Sequence, residues 1–153
     1  MGKAISFSNQ KGGSGKTTLT ANLAVLWSNS QYKVAVIDAD KQKSLTHWLE
    51  ARKKYYGEDQ VGIDSYPYDS LSIIENIKKV KRKYDFVIID SPPSITYDTI
   101  QILKSCDRVF VPVLPSPIDL MASIPFLNLA KQERKKSTII LNRVMPRAKL
   151  TEV

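Results

Sequence analysis

The chain has 153 residues, 42% hydrophobic and 25% charged, the make-up of one globular domain long enough to bury roughly two thirds of its unfolded surface. No apolar run approaches the ~20 residues of a membrane helix, the amino terminus lacks the apolar core of a secretion signal, and the lone Cys106 excludes an intrachain disulfide or a cysteine-ligated cluster, so a cytoplasmic location without membrane attachment is expected. The net charge of +8, from 23 Lys and Arg against 15 Asp and Glu, fits a polyanionic partner such as nucleic acid or nucleotide.

Short apolar runs alternate with longer amphipathic ones. This pattern predicts a doubly wound, mostly parallel α/β sheet with helices on both faces, in one domain over 1–153. The strands are expected at Lys3–Asn9, Lys33–Asp38, Val61–Tyr66, Asp85–Asp90, Asp107–Val113 and Thr138–Asn142. Between them, helices are expected at Lys16–Asn29, Ser44–Tyr55, Leu71–Tyr84, Ser94–Ser105 and Ile118–Lys131. "VAVID" and "FVIID" are near-continuously apolar, as strands covered on both faces must be. In the third helix Leu71, Ile74, Ile77, Val80 and Tyr84 recur at three- or four-residue steps and form the packing stripe. Ser72 and Glu75 have the spacing of a capping box, and Ser44 is a candidate cap for the second helix. Three basic clusters, Arg52-Lys53-Lys54, Lys78-Lys79 with Lys81-Arg82-Lys83, and Arg134-Lys135-Lys136, lie at helix ends. Each is explained as well by a solvated face with cations near a helix C-terminus as by a binding patch.

The segment "SFSNQKGGSGKTT" joins the first strand to the first helix through Gly12, Gly13 and Gly15. Glycines let a backbone curl so that its N–H groups converge on phosphate oxygens, and the helix N-terminus adds partial positive charge. In the pattern G-x-x-x-x-G-K-[ST], Lys16 would reach the β- and γ-phosphates and Thr17 would ligate Mg²⁺. The pattern asks for glycine where Gln10 stands, and an additional lysine, Lys11, follows it. "FVIIDSPP" ends its strand on Asp90, the form of an acid that holds the metal beside such a loop, usually through water. In "VAVIDADKQKSLTHW", Asp38 and Asp40 emerge at the same carboxyl edge, where open α/β sheets bind ligands. Asp40 is the stronger candidate for Mg²⁺ or the attacking water, whereas Asp38 is equally explained as a strand terminator.

Taken together, "KGGSGKTT" with Lys11, "DADKQKSL", "FVIIDSPP", "PVLPSPIDL" and "LNRVMPRAKLTEV" resemble the ParA branch of the ParA/MinD family of deviant Walker-A ATPases, over the whole chain and in the expected order. The resemblance implies an ATP- and Mg²⁺-dependent homodimer in which Lys11 reaches the phosphates held by the other subunit. It assigns Gly12, Gly13, Ser14, Gly15, Lys16, Thr17 and Thr18 to phosphate binding, Thr17 and Asp90 to the metal, and Asp40 to hydrolysis or the metal shell. Asn142, Arg143, Pro146 and Arg147 fall in the region that meets the adenine. Plasmid or chromosome partition is the implied function. ATP would drive non-specific DNA binding on the nucleoid, and a centromere-binding, ParB-like adaptor would stimulate an otherwise slow hydrolysis.

Two departures stand out. Lys41 replaces the family's usual proline after the second acid, and chains of this branch generally continue for another helix-strand-helix, so the C-terminal segment is expected to be missing. Arg147 and Lys149 are among the candidates for DNA contact. A MinD-like division-site regulator is the main alternative; it would carry a C-terminal amphipathic helix that this sequence does not show. An iron-protein-like electron-transfer ATPase would need paired cysteines, and loss of hydrolysis through Lys41 beside Asp40 is a third reading. His47 is expected at the surface, Trp27 and Trp48 in packing, and Cys106 as a small residue near the fifth strand.

Overall fold

A computed structural model describes residues 1–58 and 61–145. It contains six strands, β1 (Lys3–Phe7), β2 (Val34–Asp38), β3 (Ile63–Tyr66), β4 (Phe86–Asp90), β5 (Arg108–Val113) and β6 (Ser137–Leu141). The helices are α1 (Lys16–Asn29), α2 (Ser44–Tyr56), α3 (Ile73–Val80), α4 (Tyr97–Ser105) and α5 (Pro117–Gln132). The strands form one sheet in the order β3-β2-β4-β1-β5-β6, and all pairings are parallel. The expected α/β class is therefore the observed one.

Alternation along the strands divides the core between the two faces. Ala35, Ile37, Val87 and Ile89 pack with Ile73, Ile77, Val80 and Ile102 of α3 and α4. On the other side Phe7, Val34, Val36 and Ile88 pack with Ala21, Ala24, Leu45 and Leu49 of α1 and α2. A third cluster seats Phe126 of α5 on Val109, Val111 and Val113. Phe7 pairs with Asp90 and Asp38 with Asp90 in the ladder, so β1, β2 and β4 end at one level.

Several expected boundaries shift for local reasons. β3 begins at Ile63 rather than Val61, because Gly62 adopts φ +62° and an added Cβ there would collide with Ser28 Oγ. α3 begins at Ile73, because Asp69 accepts from the Leu71 N–H and from the Ser72 hydroxyl and so builds a turn where the helix was expected. Leu71 is 96% exposed, and the buried stripe is Ile73, Ile77 and Val80. Ser72 occupies the N-cap position, yet its side chain makes no capping bond. The capping box of the fold lies instead at α4, between Thr96 and Thr99. Lys43, with φ +54°, is the N-cap of α2, which leaves Ser44 inside the first turn. Cys106 is buried, His47 is exposed, and Trp27 stacks on Phe86 with ring centroids 3.9 Å apart. Among the described residues no helix is long and apolar enough to cross a membrane.

Ile77 is fully buried against the sheet, so Ile77→Ala should cost about 2–5 kcal/mol in urea unfolding. A loss well under 1 kcal/mol would contradict this packing.

Candidate functional site

The loop after β1 reaches α1 through Gly15, whose φ of +97° suits a residue without a Cβ. A Cβ there would also run into the side-chain amide of Asn142. No side chain caps α1 and its first turn holds no acid, so the helix start presents free N–H groups and partial positive charge to an anion. Lys16 is 7% exposed and donates from Nζ to the Lys11 carbonyl at 3.0 Å. Burial lowers its pKa, while Asp90 and Asp40 pull it back up. Gly12, Gly13, Gly15, Lys16, Thr17, Thr18, Asp40, Pro93 and Arg143 line one cavity of about 310 Å³. A wider cavity of about 630 Å³, with Lys33, Lys53 and Lys83 in its wall, shares no residue with these motifs, and the chemistry argues for the smaller one.

Asp90 lies beneath this cavity, at 0% exposure. Its Oδ2 accepts from Thr17 Oγ1 at 2.6 Å, and its Oδ1 is buried with no hydrogen-bond partner among the described residues. Burial pushes its pKa up to about 7; the Thr17 hydrogen bond and Lys16 oppose the shift, and the Asp38 and Asp40 charges add to it. An orphaned buried carboxylate oxygen beside a threonine hydroxyl is a donor set that fits Mg²⁺, a cation that takes one or two protein oxygens and fills the rest of its shell from phosphate and water. No group of three His, Cys, Asp or Glu gathers around a common point among the described residues, so a metal here would depend on those phosphate oxygens.

The two acids after β2 have separate tasks. Asp38 Oδ2 accepts from both the N–H and the hydroxyl of Thr46 at 2.9 Å, and its Oδ1 accepts from the Asp40 N–H at 3.1 Å. Asp38 therefore caps α2 from the strand end and holds the loop that presents Asp40. Asp40 is half-buried in the cavity wall and accepts from the Gln42 N–H. Lys41 is exposed, while Lys43 Nζ donates to the Asp38 carbonyl at 2.6 Å.

The remaining expected residues divide. Ser14 is buried, and its carbonyl accepts from Asn142 Nδ2 at 2.9 Å. Asn142 thus braces the phosphate loop, and of the expected adenine-side residues among the described ones, Arg143, with φ +58°, lines the cavity. Pro146, Arg147 and Lys149 lie outside the described residues. Lys11 lies beside the cavity, and its ammonium pairs with Asp119 in the first turn of α5. Sequence reading missed Asp119 and the anchoring role of Gln10, whose Nε2 donates to the Ala122 carbonyl at 2.6 Å. The only signal for either was the motif "PSPIDL" itself, since more than a hundred residues separate the partners.

Residues 5–152 match the model of the CobQ/CobB/MinD/ParA nucleotide-binding domain. A carboxysome distribution protein A of Halothiobacillus neapolitanus is 33% identical, the match covering 96% of this chain and 69% of that protein. A protein of the same name from Gloeobacter kilaueensis is 29% identical over 95% of this chain and 65% of its own length. Among solved structures, pNOB8 ParA bound to nonspecific DNA superposes with a TM-score of 0.79 at 24% identity, covering 97% of this chain and 70% of that one. The chain therefore spans about two thirds of the curated relatives it matches.

Because the folded-state pKa of Asp90 lies above its ordinary carboxylate value, the folded chain binds the proton more tightly than the unfolded one. Stability on this account falls as pH rises from about 4 to 7. Asp90→Asn should melt higher than the wild type at pH 8, by about 2–4 °C per kcal/mol recovered, with the difference vanishing near pH 4, and should lose any gain in ATP affinity from Mg²⁺. An Asp90→Asn variant that melts no higher at pH 8 would contradict the burial cost.

Proposed function

The chain belongs to the CobQ/CobB/MinD/ParA nucleotide-binding family, and from that premise we propose that it is a partition-type ATPase whose Mg²⁺-ATP form is a sandwich dimer. The observation that carries the reading is one cavity lined by Lys16, Thr17 and Asp40, with Asp90 beneath it and Lys11 at its side, paired with Asp119. Lys16 would neutralise the β- and γ-phosphates, and the N–H groups of the loop and α1 would hold their oxygens. Bound Mg²⁺ supplies charge neutralisation across the phosphates. Thr17 and Asp90 would hold that cation, and Asp40 would orient the attacking water. Arg143 would lie toward the base.

Lys11 would complete the site of the facing subunit, as an arginine finger does when supplied in trans. Exposed Ile118, Met121 and Ile124 on α5, at 73%, 68% and 50%, support an apolar contact near the same residue. With Arg143 at the cavity assigned to the base, unstimulated turnover would be slow, and a ParB-like adaptor would accelerate it. Non-specific DNA is the proposed surface for the dimer, in keeping with the +8 charge, and would place it on the nucleoid. The 33% identity to a carboxysome distribution protein favours a second reading of the cargo, in which a protein body rather than a plasmid or chromosome is positioned.

Light scattering of the wild type should give a dimer in Mg²⁺-ATP and a monomer in ADP, with Lys11→Ala monomeric in both. A wild type that stays monomeric in ATP, or a Lys11→Ala that dimerises as well, would remove the sandwich. Binding of the ATP form to random-sequence duplex should weaken by about tenfold or more between 50 and 200 mM salt. An absent or salt-insensitive shift would remove the DNA part alone.

A further inference from the structure

Lys11 would serve another chain, yet its ammonium is already engaged within its own. It pairs with Asp119 Oδ1 across 108 positions of sequence. Neighbouring contacts build the geometry for this pair. Asn9 Nδ2 donates to Ser123 Oγ at 3.2 Å and to the Pro112 carbonyl at 2.8 Å, and Gln10 Nε2 donates to the Ala122 carbonyl. Three consecutive residues thus fasten the start of the phosphate loop to the first two turns of α5.

The two partners differ in freedom. Pro117 opens α5, Ser123 Oγ donates to the Asp119 carbonyl at 2.8 Å, and the Asp119 side chain is 11% exposed. The Lys11 side chain is 38% exposed at the end of a flexible stem. The carboxylate is the fixed post and the ammonium is the end that can swing. The hydrogen bond from Lys11 keeps the Asp119 carboxyl below the usual carboxylate range. Lys16 rests on the backbone carbonyl of Lys11, so the Lys11 side chain can change partners without disturbing Lys16.

We propose that Asp119 is a positioning residue for Lys11, a counter-ion in cis that competes with the partner subunit's nucleotide for the same ammonium and so sets the ATP concentration at which two chains close. The proposal rests on the sandwich reading above. A triphosphate outbids one carboxylate for the ammonium because it brings more negative charge to a seam from which water is excluded. A diphosphate brings less. The exchange therefore reports the γ-phosphate, and the cis pair suppresses closure on ADP.

The test compares wild type, Asp119→Asn, Lys11→Ala and the double variant by dimer mass across ATP and ADP titrations in Mg²⁺. Melting temperature and affinity of the monomer for a fluorescent ATP analogue serve as controls. Asp119→Asn should reach half-dimer at an ATP concentration about two- to fivefold lower than wild type, the scale of one partly solvated ion pair, with unchanged monomer affinity. Asp119→Ser should shift it likewise and provides the comparison should Asp119→Asn fold poorly, while Asp119→Glu should stay near the wild type. Lys11→Ala and the double variant should remain monomeric alike. An unchanged or higher ATP threshold in the Asp119 variants would overturn the role of Asp119 while leaving the sandwich intact. Wild-type-like dimerisation of Lys11→Ala would instead remove the sandwich on which the proposal stands.

Discussion

The interaction on which the site depends is the burial of a carboxylate, Asp90, against the hydroxyl of Thr17 at the start of α1. It arises because three parallel strands end together, Phe7 and Asp38 both in register with Asp90. Parallel pairing puts every carboxyl end on one edge. The apolar ladder therefore does more than form a core, because it delivers two acids and a lysine-bearing loop to a common rim. The folded chain bears the desolvation of Asp90 there, and a cation is the group whose arrival relieves it.

Much of this was legible in the sequence. The alternation of apolar runs gave the parallel sheet, and the Gly-Lys-Thr segment between a strand and a helix located the cavity. Asp90 and Asp40 could be placed because one ends an apolar strand and the other lies two residues past the end of another. What escaped was set by contacts between distant positions or by side chains competing with helix geometry. Of the expected α3 stripe only Leu71 fell outside the packing, because Asp69 accepts from the Leu71 N–H and the Ser72 hydroxyl and forms a turn there. Asp38 read equally as a ligand or a strand terminator, and its bonds to the first turn of α2 become visible only when Thr46 folds back over it. Asn142 was placed near the base by resemblance, and the structure adds a bracing task, its amide donating to the Ser14 carbonyl.

The departure at Gln10 now has a physical account. Glycine there would remove one of the loop's anchors, whereas glutamine reaches the backbone of α5 beside the Lys11–Asp119 pair. The loop is consequently tied on two sides, to α5 through Asn9, Gln10 and Lys11 and to the end of β6 through Asn142. Its cavity-lining glycines and Lys16 are held by contacts that do not themselves need a nucleotide.

The central claim is that each nucleotide is served by two chains, and mixing two inactive variants tests it most directly. A Lys11→Ala chain keeps Asp40, and an Asp40→Ala chain keeps Lys11. If Lys11 acts across the seam, a one-to-one mixture contains mixed dimers with one complete site. It should then recover hydrolysis clearly above that of either component alone, since each mixed dimer holds one complete site of its two. If Lys11 acts only within its own chain, no site in the mixture is complete, and a mixture as inactive as its components would contradict the account.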